Sequence, residues 1–346
     1  MPAAVISPPH TVRPQRVDRI MLQVILGLVP GAIAMTWYFG WGLAINMVLA
    51  TTFAVGTEAA VLRLRRRPAL PAVRDLSAVV TALLLAVCVP PTLPWWLTLT
   101  GVVFAIAGTK QLYGGLGYNP FNPAMAGYAF LLISFPLAMA SWPPPHMLAQ
   151  YPLSFADSLH LTLTGEPPGH LSWDAITSAT PLGEMRTQLG QDKTIDEIRR
   201  SPLWGDYGGR GWEWVANWFL AGGLFLLWRR VISWHVPVSM LASLLLVAGF
   251  LWMLDPDTHP FPAFHIFSGG AMLGAFFIAT DPVSGCTTKK GQVVFGASIG
   301  VLVFAIRTWG GYPDGVAFAV LLMDAAAPLI DQCSRPRVFG QGKGGT

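Results

Sequence analysis

The residues best suited to chemistry form one short polar run, Asp174-Ala175-Ile176-Thr177-Ser178-Ala179-Thr180. Pro181 follows directly, and proline is favoured at the first position of a helix. Thr180 is therefore predicted to cap a helix, where free backbone N–H groups and the helix dipole favour a phosphate. A threonine hydroxyl in this position is well placed to carry a phosphoryl group.

Three acids and two amides are the other candidate site residues. Glu58, Asp281 and Asp324 lie within or at the ends of apolar segments, where ionisable groups are costly to bury and indicate a function such as an ion pathway. Asn119 and Asn122 belong to an Asn-Pro-Phe-Asn-Pro run. This run is typical of a broken helix, whose unwound backbone must line a cavity or be buried in protein. A cofactor pocket and a purely structural turn both remain open for the asparagines, and Asp281 can also cap a helix.

Several classes of site are not indicated. The 7 histidines show no metal-binding spacing, and no metal site is predicted. Cys88, Cys286 and Cys333 are far apart, so they form neither a disulfide framework nor the thiolate cluster of an iron-sulfur centre. Gly115 and Gly117 lack the third glycine of a dinucleotide fingerprint, and there is no Walker sequence. Any iron-sulfur centre or NADH site is therefore predicted to belong to a partner.

The composition is that of an integral membrane protein. Of the 346 residues, 53% are hydrophobic and only 12% are charged, and the mean hydropathy is +0.50. Soluble domains carry about a quarter of charged residues. The arginines cluster beside apolar segments, so the pI of about 9.1 does not indicate nucleic-acid binding.

Ten apolar segments approach the roughly 20 residues that a helix needs to cross a bilayer. Seven are clear, at 20–39, 42–62, 124–142, 212–231, 236–254, 291–306 and 315–330. Three are short or broken, at 76–89, 95–109 and 264–280. The first is predicted to be a retained span, because no clear small-residue cleavage site follows it.

The positive charges predict the orientation of these spans. With ten spans, most flanking basic residues fall on one side, which the positive-inside rule makes cytoplasmic. They are Arg63, Arg65, Arg66, Arg67, Arg74, Lys110, Arg229, Arg230, Lys289 and Lys290. Arg307 is an exception on the opposite face. Both termini are thus predicted to be cytoplasmic, and the long polar connection with Thr180 is predicted to lie outside the cytoplasm.

The polar connection, at 143–211, is predicted to be an ordered cap rather than a linker. Thr194 and Glu197 fit a capping box, in which each side chain satisfies a free backbone donor at the start of a helix. Tryptophans in and beside the connection indicate contact with membrane lipid at its interfacial layer. The cap would therefore sit directly on the membrane-embedded part.

The two halves of the chain are similar to each other. Five predicted spans precede the polar connection and five follow it, and the Gly-Gly pairs at Gly114 and Gly310 each lead into an apolar span. An odd number of spans per repeat places the halves in opposite orientations. The predicted fold class is an all-α integral membrane protein of about ten transmembrane helices, arranged as two inverted five-helix repeats. The predicted regions are a tail at 1–19, repeats at 20–142 and 212–331, the connection at 143–211 and a tail at 332–346.

Beyond the Thr180 run, four blocks resemble the D subunit of Rnf electron-transport complexes. They begin at Arg74, Lys110, Ala279 and Gly310, and they read RDLSAVVTAL, KQLYGGLGYNPFNPA, ATDPVS and GGYPDGVAF. The resemblance covers almost the whole chain. It implies a subunit of the bacterial inner membrane that relays electrons through flavin inside a multisubunit complex. Such a complex exchanges electrons between NADH and ferredoxin, or a redox regulator, and couples this to movement of sodium ions or protons.

The Thr180 run itself resembles the flavinylation motif of bacterial respiratory proteins, Asp-x-x-(Ser/Thr)-(Gly/Ser)-Ala-Thr. The resemblance implies that FMN is joined to Thr180 through a phosphoester and that the connection lies in the periplasm. A separate flavin transferase would recognise the surrounding residues, which are Asp174, Thr177, Ser178, Ala179, Pro181 and Leu182. Many family members have glycine in place of Ser178. The resemblance also implies a second, non-covalent flavin, riboflavin, for which Asn119 and Asn122 are the candidates, and it implies other Rnf-type membrane and iron-sulfur subunits as partners.

Two alternatives remain open at this stage. Inverted five-helix repeats with short central helices also describe urea-type channels, which have no redox activity. The B subunit of the sodium-pumping NADH:quinone reductase shares the plan of the chain but generally has a longer N-terminal region. The flavinylation motif argues against the first, and the short segment before the first span argues against the second.

Overall fold

The computed structural model describes residues 16–169, 171–312 and 314–335. Within these ranges the chain folds almost entirely into helices. Strand-like pairing there is confined to two isolated bridges, between Trp142 and Ser178 and between Trp204 and Gly209. The prediction of an all-α fold is confirmed. Pro313 of the second Gly-Gly run and most of the two predicted tails lie outside the described residues.

The helices follow the order that the sequence predicts. The first half contains α1 (Val17–Phe39), α2 (Gly42–Leu64), α3 (Ala69–Arg74), α4 (Ser77–Cys88), α5 (Trp95–Val103), α6 (Pro123–Ser134) and α7 (Pro136–Ala140). The polar connection contains α8 (Phe155–Thr164), α9 (Trp173–Ile176), α10 (Pro181–Leu189) and α11 (Ile195–Ile198). The second half contains α12 (Trp212–Trp228), α13 (His235–Leu254), α14 (Pro262–Phe267), α15 (Ala271–Leu273), α16 (Lys289–Trp309) and α17 (Val316–Ser334). Two π-helical segments, Phe104–Gln111 and Gly274–Ile278, continue α5 and α15.

Each of the ten predicted segments contains helix in the described part of the chain. Five helices, α1, α2, α13, α16 and α17, are long and apolar enough to cross a membrane. The segment predicted at 124–142 is not one span, because it breaks at Pro136 into α6 and α7. Phe135, which precedes this proline, has φ −134° and ψ 58°, and a residue before proline is disfavoured in the helical region. The segment predicted at 264–280 breaks at Gly269 and Gly270, as its glycines suggest.

Helices that the predicted repeat makes equivalent pack in matching pairs. The first helices of the two halves, α1 and α12, pack against each other, and so do the last, α6 and α17. Within the halves, α2 contacts α4 and α5, and α13 correspondingly contacts α14 and α16. This is the pattern that two related five-helix repeats would produce, and it places a seam between the halves. We call it the repeat interface.

Small residues allow the closest of these contacts. A side-chain carbon added at Gly296 of α16 would lie 2.6 Å from the backbone oxygen of Val236 on α13, and Gly300, one turn on, is similarly confined. Small residues spaced by four let membrane helices approach closely where no hydrophobic effect drives their association. The pair α13 and α16 is therefore a tightly packed support for the second half.

The polar connection is ordered, as predicted. The backbone N–H of Thr194 donates to Glu197 Oε2 over 3.0 Å, which completes one arm of the predicted capping box. Residues of α10 and α11 form a small hydrophobic cluster with Trp204 and with Phe264 of α14. The rings of Trp204 and Phe264 stack with centroids 4.5 Å apart. The connection is thus a cap that packs onto the broken helix of the second half.

Candidate functional site

The run that leads to Thr180 is anchored at both ends. Thr177 Oγ1 donates to the backbone oxygen of Trp173 over 2.8 Å, which closes the short helix α9. Ser178 donates its backbone N–H to the oxygen of Trp142 over 2.8 Å, so the run is tied to the end of the first half. Asp174 and Ala179 remain exposed. Ser178 does not have positive φ, so its backbone conformation does not require glycine.

Thr180 caps α10, as the sequence predicts. Its Oγ1 accepts a hydrogen bond from the backbone N–H of Gly183 over 3.1 Å, and Pro181 occupies the first helical position. Thr180 is half-buried, while Pro181 and Leu182 are buried beneath it. A phosphate ester at this oxygen would lie at the N-terminus of a helix of 9 residues, where free N–H groups and the helix dipole stabilise an anion.

Thr180 lies in the wall of a cavity of about 470 Å³ at the repeat interface, which we call the outer cavity. This volume is within the range of roughly 300–1,000 Å³ that is typical of small-molecule sites. Helices from both halves and residues of the polar connection surround it, and most of its lining is apolar or aromatic. The lining includes Met35, Met125, Tyr128, Trp142, Trp212, Phe219, Met272 and Tyr312. Such a lining suits a flat aromatic ring attached to Thr180.

The wall formed by the second half contains an ion pair whose base is buried and whose acid is partly exposed. Arg307 Nη2 lies 3.1 Å from Asp314 Oδ1, and the Arg307 side chain is only 1% exposed. Arg307 also donates to the backbone oxygens of His265 and Ser268. Asp314 lines the outer cavity together with Gly269 and Gly270. The pair therefore joins the end of α16 and the start of α17 to the break between α14 and α15.

A smaller cavity of about 100 Å³ lies elsewhere on the repeat interface, and we call it the inner cavity. Asn119, Asn122 and Asp281 all line it, so the structure brings three predicted site residues together. Asn122 also caps α6, because its Oδ1 accepts from the N–H of Ala124 over 3.0 Å. Asn119 Nδ2 donates to the oxygen of Phe121 over 3.0 Å. Both asparagines thus perform the structural role that the sequence left open, at a cavity below the usual size of a ligand site.

The three predicted acids differ in their relation to this inner cavity. Asp281 lines it and accepts from the N–H of Val283 over 3.0 Å. Asp324 is buried; its Oδ2 accepts from the backbone N–H of Asn122 over 2.8 Å, while its Oδ1 has no hydrogen-bond partner among the residues that the structure describes. Glu58 is 1% exposed and lies 2.7 Å from Lys110 Nζ. Neither Glu58 nor Asp324 lines either cavity directly.

The sequence did not reveal Lys110 and Arg307 as buried partners of acids. Lys110 Nζ contacts Glu58 and also donates to Ser77 Oγ over 2.6 Å, although its position beside a span predicted only a cytoplasmic flank. Gln111 Nε2 adds a bond to the same Glu58 oxygen over 2.8 Å. Arg307 did carry a signal, because it is an exception to the charge rule. In the described residues, no group of three or more His, Cys, Asp or Glu side chains is placed to hold a metal ion.

Comparison with known proteins assigns the family. The sequence model of the NQR2, RnfD, RnfE family matches residues 4–340. The chain belongs to this family. It is 48% identical over 342 residues to a Klebsiella pneumoniae protein named as the D subunit of an ion-translocating oxidoreductase complex, covering 96% of this chain and 98% of that protein. Proteins of the same name from Escherichia coli O1:K1 and Shigella boydii are 48% and 47% identical over 346 residues, with 98% of each chain covered.

Proposed function

We propose that this chain is the D-type membrane subunit of an Rnf-type ion-translocating oxidoreductase complex and that it relays electrons through FMN bound covalently to Thr180. The names of relatives at 48% identity over nearly their whole length support the assignment to such a complex. The main observation in favour of a covalent flavin is the position of the Thr180 hydroxyl, which caps α10 in the wall of a cavity of about 470 Å³. In the cell, the polar connection would lie on the periplasmic side of a bacterial inner membrane.

The residues of the run have separable tasks in this proposal. Bound FMN would accept and donate electrons reversibly. Thr180 provides the ester oxygen and fixes the phosphate at the start of α10. Asp174 and Ala179 are exposed and are available to the flavin transferase, together with Thr177 and Ser178. Pro181 and Leu182 are buried and set the direction of the helix. The apolar cavity wall excludes water from the ring.

Partners must supply what this chain does not provide. The three cysteines are distant in sequence, so iron-sulfur centres belong to other membrane and iron-sulfur subunits of the complex. Those subunits would exchange electrons with NADH and with ferredoxin or a redox regulator. Many large apolar side chains on the long helices are exposed, among them Val48, Leu246 and Leu322. Membrane lipid and neighbouring subunits are the surfaces that cover them.

The inner cavity is better suited to ions and water than to a second ring. At about 100 Å³ it has room for several water molecules, since one needs about 10–15 Å³. We propose that Glu58, Asp281 and Asp324 contribute to ion movement around it. A riboflavin at Asn119 and Asn122 would require the cavity to widen. A flavin content above one per chain in the purified protein would support that second cofactor.

The attachment of FMN can be separated from the folding of the cap with three substitutions. The full chain is produced with an active flavin transferase, denatured, and examined for flavin fluorescence in the gel and by mass analysis of the peptide that contains Thr180. Thr180→Asn keeps a good helix cap but has no hydroxyl, so covalent flavin should disappear. Thr180→Ser should retain it. Thr194→Asn makes the same change at the capping threonine of α11, outside the run, and serves as the matched control, which should retain covalent flavin.

The outcome also decides between the alternatives. A wild-type chain without covalent flavin would contradict the electron-relay proposal and favour the urea-type channel, which needs no redox group. Covalent flavin that persists in Thr180→Asn would contradict Thr180 as the attachment site but not electron transfer through the flavin. Reduction of quinone rather than ferredoxin by the purified complex would favour the B subunit of a sodium-pumping NADH:quinone reductase, because the matching family includes both types.

A further inference from the structure

We propose that Asp314, held by Arg307, sets the midpoint potential of the flavin on Thr180 by presenting a negative charge to the outer cavity. This inference rests on the proposed function, since it requires FMN at Thr180. Asp314 is the one charged side chain among the described residues that line the outer cavity. Arg307 does not line it. The ion pair is therefore oriented, with its acid toward the cavity and its base behind.

The carboxylate of Asp314 is held in place by hydrogen bonds to both oxygens. Oδ1 accepts from Arg307 Nε over 3.3 Å and Nη2 over 3.1 Å, and from the backbone N–H of Val316 over 3.3 Å. Oδ2 accepts from the backbone N–H of Gly270 over 2.7 Å. These donors come from the end of α16, the start of α17 and the break before α15. The charge therefore has a fixed position in the cavity wall.

Arg307 is the positioning residue of this arrangement. Its contacts with the backbone oxygens of His265 and Ser268 hold the break between α14 and α15 against Asp314. Gly269 has φ +67°, and a side-chain carbon there would lie 2.5 Å from Asp314 Oδ2 and 2.6 Å from a methyl carbon of Leu182. The break is thus packed tightly between the ion pair and α10. Helix α10, which Thr180 caps, and the wall that contains Asp314 therefore both pack against this break.

The electrostatic consequence has a definite sign. Electron uptake places negative charge on a flavin ring, and a fixed carboxylate facing the same cavity opposes it. The lining of the outer cavity is mostly apolar, and charges are screened less in such a site than in bulk water. Arg307 lies farther from the cavity and cancels only part of this effect. Asp314 therefore lowers the midpoint potential, and loss of Arg307 would lower it further.

The test is a spectroelectrochemical titration of the covalent flavin on the full chain in detergent. Asp314→Asn removes the charge; its one amide oxygen can still accept from Arg307 and Val316, but the bond from the Gly270 N–H to the second carboxylate oxygen is lost. We expect the reduced-to-oxidised ratio at a fixed potential to rise at least tenfold, a positive shift of about 59 mV for a one-electron couple. Arg307→Gln should shift the potential in the opposite direction. Asp314→Glu should restore most of the wild-type value.

The controls separate this inference from the proposed function. Asp206 is an exposed acid of the cap that does not line the cavity, so Asp206→Asn should leave the potential unchanged. In-gel fluorescence first establishes that each variant carries covalent flavin; its absence from the wild type would contradict the proposed function instead. A potential unchanged in Asp314→Asn, or shifted in the same direction by both substitutions, would overturn the role of Asp314. If the Asp314→Asn protein does not accumulate, the measurement on Arg307→Gln is sufficient: an unchanged or higher midpoint potential in that variant overturns the role of Asp314.

Discussion

The outer and inner cavities lie on the same repeat interface but differ in size and in charge. The outer cavity has about 470 Å³, and Asp314 is the one charged residue that lines it in the described part of the chain, whereas the inner cavity has about 100 Å³ and is lined by Lys110 and Asp281. The two approach each other where Asn122, which lines the inner cavity, donates from Nδ2 to the oxygen of Ile278, which lines the outer, over 3.3 Å. One interface thus offers a space for a ring and a compact polar site that is suited to ions.

The largest effect is expected from breaking the polar network beside the inner cavity. Lys110→Met removes the cation that lies 2.7 Å from Glu58 and leaves a buried carboxylate without its charge partner. Removal of one partner of a buried pair costs about 3–5 kcal/mol. We expect a loss of this size in the free energy of unfolding, measured by thermal or denaturant unfolding of the full chain in detergent.

A double substitution tests whether the charge itself causes this loss. Lys110→Met combined with Glu58→Gln leaves no unpaired charge, and Gln111 can still donate to the amide oxygen. The double variant should therefore be more stable than Lys110→Met alone. Equal stability of the two variants would mean that packing around Lys110, rather than its pairing with Glu58, supports the first half.

The difference in room between the cavities predicts opposite results for one matched pair of substitutions. Val80 lines the inner cavity and Val215 lines the outer, and both are buried. Val80→Phe overpacks a narrow site and should cost about 1–3 kcal/mol of stability. Val215→Phe has space available and should cost less, but it occupies the volume of the ring. We expect covalent flavin in Val215→Phe to become more accessible to quenching by iodide in solution.

Two outcomes would contradict the comparison. Equal destabilisation by both substitutions would mean that the outer cavity is closed in the folded protein. Flavin in Val215→Phe that is shielded from iodide as well as in the wild type would mean that the ring attached to Thr180 lies outside the outer cavity. Val80→Phe serves as the control for the second measurement, since it should leave the accessibility of the flavin unchanged.

Local sequence signals predicted the helical framework and the helix cap at Thr180. Pro181 after Thr180 correctly predicted the start of α10, and Thr194 and Glu197 predicted the start of α11. These motifs work because capping depends on residues within one turn of each other. The split at Pro136 was missed because hydropathy was continuous across it. Pro136 itself predicts a break in the helix, since proline lacks the backbone N–H that a helix interior needs.

The ion pairs of Lys110 with Glu58 and of Arg307 with Asp314 could not be predicted from the sequence in the same way. Lys110 and Glu58 are 52 positions apart, and their proximity depends on how α2 packs against the π-helical end of α5. Asp314 is closer in sequence to Arg307, but its orientation toward the outer cavity depends on the break at Gly269 and Gly270. Such pairings are properties of tertiary packing. The sequence could indicate that a charge at membrane depth needs a partner, but not which residue supplies it.

The smallest effect is expected at Asp324, a buried acid bonded to Asn122 at the repeat interface. Its Oδ2 accepts from the N–H of Asn122 over 2.8 Å, and an amide oxygen can do the same, so Asp324→Asn should change stability by less than about 1 kcal/mol. Asp324→Leu leaves that buried N–H unpaired and should cost about 1–3 kcal/mol. Unfolding of both variants in detergent measures the difference. An equal loss in both would show that the carboxylate charge, and not its hydrogen bond, stabilises this part of the repeat interface.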